Sequence, residues 1–165
     1  MEKIEPLGDF KDAAPESICA AVAKTFRVRG TEVALLELKR KLLTFLYPAE
    51  LKTAGAIPLS SSAVAARTAR TNRAELFNTF TGVRHSSVFE VVKVGEAGQD
   101  TEVIQKLMSA PLLSPGGEVI GVIQVSRKAH SPAAAGPDFT TEDLVNLKSI
   151  AASVGKAMSE AGDEK

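Results

Sequence analysis

The chain has 165 residues, 44% hydrophobic and 24% charged, with 20 Lys plus Arg against 20 Asp plus Glu. That is enough for one ordinary domain with a sizeable core, and the balanced charge argues against a general nucleic-acid binder, which carries a basic excess. The single cysteine, Cys19, excludes an intrachain disulfide and argues against a Cys-based zinc site, which fits a reducing cytoplasm.

The N-terminus, MEKIEPLGDF, lacks the basic region and apolar run of a signal peptide. No apolar stretch approaches the ~20 residues of a membrane span. Trp is absent, so a stacking platform for bases is not expected.

Residues 1–13 mix charge, Pro and Gly and read as a lead-in. Pro15 suits the first turn of a helix, and Ile18, Val22 and Phe26 follow at helical spacing. Cys19 lies beside that stripe and reads as a small buried apolar residue, with no activating neighbour in sequence. Gly30 is expected to end the helical region. Val33–Lys39 and Leu42–Tyr47 then read as strands joined at the basic run Lys39-Arg40-Lys41. Val33, Ala34, Leu35, Leu36 and Leu38 put apolar residues on both alternating faces, so the sheet must be covered on both sides.

Pro48 stops the second strand, and residues 49–57 read as a loop or a short turn of helix. Ser60-Ser61-Ser62 precedes AVAARTAR, and serines there are expected to cap the helix, with anion binding as the other use of the same hydroxyls. Ala74 to Phe80 reads as a short extended segment, Gly82 to Ser87 as a polar loop, Ser87 to Lys93 as β-rich, and Gly95 to Asp100 as a turn. His85 and His130 stand in polar loops without spaced partners, so neither a metal nor a cofactor is expected.

Ile104 to Lys128 is the central feature, two apolar strands around Ser114-Pro115-Gly116-Gly117. With Leu113 opposite Glu118, alternation puts Ile120, Val122, Gln124 and Ser126 on one face with Leu107, Ser109 and Pro111. Val119, Gly121, Ile123 and Val125 take the other face with Met108, Ala110 and Leu112. The second face is purely apolar and suits helices. The first turns polar at Ser109, Gln124 and Ser126. It reads either as a pocket floor or as a core hairpin whose polar end meets solvent. A slip of one residue would exchange the faces.

Beyond Lys128, the stretch to Asp138 is a Pro-, Ala- and Gly-rich loop. Thr140 and Asp143 form a capping-box pattern, and Leu144, Leu147, Ala151, Val154 and Met158 continue as a helical stripe. Residues 161–165 read as a frayed tail, leaving 14–160 as one domain.

The chain resembles the GAF domain family. The resemblance runs through Ile57 to Asn78, Leu107 to Leu113, Gly117 to Lys128 and Asp138 to Met158, in that order and spacing. It implies an α+β fold, an α/β sandwich around a six-stranded antiparallel sheet. The first and last helices would pack on one face, and short helices and loops would roof a pocket on the other. It further implies a non-catalytic sensory or regulatory role in the cytoplasm, with an unknown small molecule as ligand. No nucleic acid or membrane partner is implied. A homodimer through the first and last helices is expected, and ligand-free dimerisation or docking is the alternative role.

Some members that bind cyclic nucleotides carry a motif onto which Lys128, Phe139 and Asp143 fall, with Arg127 and Leu144 departing from it. By that resemblance Lys128 and Asp143 are expected to pair and hold a loop over the pocket. Ser109, Gln124 and Ser126 are the expected floor of the pocket, and Phe80, Arg84 and Phe89 its expected roof, with Arg84 able to meet an anionic group. Free methionine sulfoxide reductases that resemble the fold need thiols in the pocket region, whereas Cys19 lies in the first helix. No nucleophile–base or paired-carboxylate set stands out, so no catalysis is expected.

Overall fold

The computed structural model describes residues 14–47, 56–78, 103–129, 131 and 133–163. Helix α1 spans Pro15–Phe26, with Pro15 in its first turn as its fixed φ favours. Its apolar stripe is buried at Ile18, Cys19, Val22 and Phe26. Gly30 does not end it. The helix stops three residues earlier, where Arg27 turns left-handed (φ 59°) and the Val28 N–H donates back to the Ala23 carbonyl at 2.9 Å. Gly30 instead opens a single 3₁₀ turn, Gly30–Glu32.

Strands β1 (Val33–Lys39) and β2 (Leu42–Tyr47) fall where alternation predicts, and Lys39 pairs with Leu42 across a two-residue turn. Both turn residues, Arg40 and Lys41, have positive φ (55° and 65°), which such turns require and which Asn-Gly normally supplies. A long side chain held left-handed costs about 1–2 kcal/mol. Part of that is recovered by Gly, which brings its own entropy penalty. Lys41→Gly is therefore expected to raise stability by about 0.5–1 kcal/mol, read as a Tm increase of a few degrees.

Strand β3 is only Ile57–Pro58 and pairs with β2. Helix α2 is Val64–Thr71. The serines before it do not cap it. Ala63 occupies the N-cap position, and Ser61 Oγ accepts from the Ala63 N–H at 3.0 Å, closing a local turn. Strands β4 (Glu75–Phe77), β5 (Val103–Leu113) and β6 (Val119–Ala129) complete a sheet of order β3-β2-β1-β6-β5-β4, with all pairs antiparallel. Helix α3 is Thr141–Asp163. It begins on the predicted capping box, with the Asp143 N–H donating to Thr140 Oγ1 at 3.0 Å and the Thr140 N–H donating to Asp143 Oδ2 at 2.8 Å.

The sheet is covered on both faces. α1 and α3 bury Val33, Leu35, Met108, Ala110, Leu112, Ile123 and Val125 on one side. α2 and the segment before it bury Ala34, Leu36, Leu43, Phe45, Leu107 and Val122 on the other. This is the two-layer cover that the doubly apolar strands demand.

The hairpin register differs from expectation. Leu113 pairs with Val119, and from Leu112–Gly121 to Ser109–Gln124 the strands are displaced by two residues. A slip of two keeps every side chain on its face. The extra residue, Ile120, sits in a bulge and changes the assignment locally. Ile120 packs toward the helices and Val119 toward α2, the reverse of strict alternation through the turn.

Candidate functional site

The polar end of the hairpin is enclosed between the sheet and α2. Ser109, Gln124, Ser126 and Thr68 of α2 are all buried, at 1% exposure or less. Ser109 and Gln124 are directly opposed in the β5–β6 ladder, because of the two-residue displacement. Gln124 Nε2 donates to Ser109 Oγ at 3.2 Å, and Ser109 Oγ lies 2.7 Å from Thr68 Oγ1. Ser126 points the same way but bonds elsewhere, donating to the Glu32 carbonyl at 3.1 Å. The structure thus joins two of the three predicted floor residues into one neutral cluster and adds Thr68. The sequence flagged the helix holding Thr68 but not the residue, because nothing distinguishes Thr68 from Thr71 in that helix until the sheet opposite is known. Leu36, Leu107 and Val122 belong to the apolar core on the same side of the sheet. A neutral donor–acceptor set beside such a core can orient a small molecule and cannot move a proton at neutral pH.

The roof candidates Phe80, Arg84 and Phe89 lie outside the described residues, as do His85 and His130. No ion pair joins Lys128 to Asp143 among the described residues. Alternation puts Lys128 on the face of Ser126 and Gln124, away from α3. Asp143 is occupied with its own helix start. The tie from sheet to the loop before α3 is made by residues pointing the other way. Lys106 Nζ pairs with Asp138, and the Arg127 guanidinium lies 4.7 Å from the centre of the Phe139 ring. Asn78 adds a reciprocal pair, donating through Nδ2 to the Phe139 carbonyl and accepting from the Phe139 N–H, both at 2.9 Å. A bulge at Gln105, between Ile104 and Lys106, aims Lys106 at that loop, a displacement that spacing in the sequence does not disclose.

Glu32 organises the far end of the same strand. It is 5% exposed and accepts from the Arg29 N–H at 2.6 Å, Arg29 Nη2 at 3.1 Å and the Lys128 N–H at 2.6 Å. It joins the end of α1 to the end of β6.

Cys19 is fully buried among α1, α3 and the sheet, on the face opposite the Ser109 cluster. Burial, helped by the nearby Glu16 carboxylate, pushes its thiol up from 9.0 to about 12. At pH 8 its thiolate fraction is therefore about a thousandfold below that of a free thiol. Alkylation of the native chain at pH 8 is expected to be slower than that of the urea-unfolded chain by at least that factor. The raised value also sets a stability window. The neutral thiol's contribution is complete below about pH 9 and declines as pH rises towards about 12. Among the described residues no group of three or more His, Cys, Asp or Glu converges to hold a metal. No described helix is long and apolar enough to cross a membrane.

The arrangement is shared with known structures. The GAF domain of an Acinetobacter phosphoenolpyruvate-protein phosphotransferase superimposes with a TM-score of 0.71 at 11% identity, covering 99% of this chain and 98% of that one. Residues 122 to 287 of a methyl-accepting chemotaxis protein give 0.62 at 17% identity, with 90% and 88% covered. A type II free methionine-R-sulfoxide reductase from Thermoplasma acidophilum gives 0.61 at 16% identity, with 93% and 96% covered. No curated protein matches the chain significantly. The sequence profile of the GAF domain matches residues 17–158. That match runs from within α1 to within α3 and takes in the whole sheet, and the chain belongs to the GAF domain family.

Proposed function

We propose that this chain is a non-catalytic sensory or regulatory domain that binds a small molecule between its sheet and α2. The observation that carries this reading is the buried Thr68–Ser109–Gln124 cluster, a neutral hydrogen-bonding set on the same side of the sheet as an apolar core. Phe80, Arg84 and Phe89 remain the candidates for the roof. A ligand bound there acts by favouring one arrangement of the elements around the pocket over another, and so one arrangement of the end helices or of a partner. The test is native mass spectrometry of the full chain as purified, followed by thermal shift with a metabolite panel. A bound mass, or a compound that raises Tm in the native chain and not in Gln124→Leu, is the expected result. No bound mass and no stabilising compound would sink the reading.

A second reading has its own observation. Ser109 already serves both Thr68 and Gln124, so the cluster is satisfied without a ligand. On that reading the domain is a ligand-free dimerisation or docking module acting through α1 and α3. The apolar groups exposed there include Val145, at 54%, along with Ala20 and Ala152. A monomer by light scattering at micromolar concentration would count against it.

A further inference from the structure

A cleft of about 480 Å³ lies at the other end of β6, between the end of α1 and the 3₁₀ turn Ala133–Ala135. Among the described residues Arg27, Arg29, Arg127 and Lys128 line it, with Glu32 as the one carboxylate. With Glu32 offsetting Arg29, Arg27 and Arg127 leave the described lining of the cleft positive in a chain of zero net charge.

The roles of these groups separate. Glu32 is already bound by Arg29 and the Lys128 N–H, so the inner part of the cleft is an internal salt bridge. Arg127 stacks on the Phe139 ring, and its hydrogen bonds are long, Nη2 3.3 Å from the Phe26 carbonyl and Nη1 3.5 Å from the Arg27 carbonyl, with Nε unpartnered. A guanidinium has five donors, so most of this one's capacity is unspent. Arg27 is exposed, and its side chain makes no hydrogen bond or ion pair among the described residues. Its backbone is left-handed at a helix C-terminus, where Gly or Asn is the relaxed choice.

We propose that this cleft binds a small phosphorylated molecule, with its phosphate between Arg27 and Arg127 and its organic part against the small Ala133–Ala135 wall. A phosphate monoester dianion offers three acceptor oxygens and meets guanidinium forks from two directions, whereas one carboxylate fills a single fork, as Glu32 does with Arg29. The cleft is larger than a bare phosphate and is of the size that small-molecule sites occupy. It touches α1, β6 and the turn leading to α3, so a ligand there would cross-link the elements at the sheet end. This site is separate from the Ser109 cluster and stands whether or not that cluster binds anything.

The test is an amide NMR titration of the full chain with inorganic phosphate and with glucose 6-phosphate, at constant ionic strength against chloride. Saturable shifts at Val28, Ala129 and Ala134 are expected, with the ester binding more tightly than phosphate. Arg27→Gly is expected to hold or raise Tm while weakening binding at least about tenfold, the loss of one charge-assisted pair. Arg40→Ser, on the β1–β2 turn, removes the same charge elsewhere and is expected to bind as the native chain. Non-saturating shifts, Arg27→Gly binding as the native chain, or an equal loss in Arg40→Ser would each overturn the site. Tighter binding of succinate than of either phosphate would overturn the ligand class.

Discussion

Gly155→Ala is expected to destabilise the domain by about 3 kcal/mol, although Ala is the better helix former by roughly 1 kcal/mol. The two effects have opposite signs, so the measurement decides between them. Gly155 lies buried in α3 where the helix meets β5. A Cβ built there would stand 2.7 Å from the Leu113 backbone nitrogen and closer still to its carbonyl oxygen. Neither atom belongs to a flexible side chain that could swing aside, and Leu113 is held in the β5–β6 ladder. The helix must therefore lift from the sheet, loosening the packing of Leu147, Ile150, Ala151 and Val154, which are buried at that interface. Urea unfolding of the two proteins measures it. A Gly155→Ala variant as stable as the native chain, or more so, would show that α3 does not approach β5 this closely.

Glu32→Ala is expected to cost about 3 kcal/mol as well, by a different route. It leaves the Arg29 and Lys128 N–H groups without this acceptor, the first in a part-buried place and the second in a buried one. A donor orphaned in this way costs about 1–3 kcal/mol. Glu32→Gln keeps one acceptor oxygen and is expected to recover part of the loss, since one of the two N–H bonds remains, without charge assistance, while the amide NH2 faces the other donor. The same pair of variants shows what one acceptor oxygen recovers. If both lose equally, a single acceptor oxygen recovers nothing and both carboxylate oxygens are needed at once. If Glu32→Ala is neutral, the junction between α1 and β6 is held by the apolar contacts of Phe26 and Val33 alone.

These two positions also mark the boundary between what was readable in the chain and what was not. Gly155 falls in a helical stripe whose apolar members were plain, yet nothing local says that the backbone of a strand lies against it. Glu32 precedes a strand and looks like any surface carboxylate. Its burial follows from the return of β6, whose Lys128 is 96 residues away.

The sequence alone determined the elements whose signal is local. Strands β1 and β2, the capping box at Thr140 and Asp143, the stripes of α1 and α3 and the need for two-sided cover all follow from periods of two or 3.6 residues in the chain. Membership of the GAF family was likewise readable from four segments in order. Only the tertiary structure decided which residues meet. It displaced the central hairpin by two residues and set Ser109 against Gln124. It placed bulges at Gln105 and Ile120, turned Lys106 rather than Lys128 toward the loop before α3, and brought Thr68 onto the Ser109 hydroxyl. The physical reason is that alternation is a property of one strand, whereas register, bulges and ion-pair choice are settled by the free energy of two segments at once, which no single segment encodes.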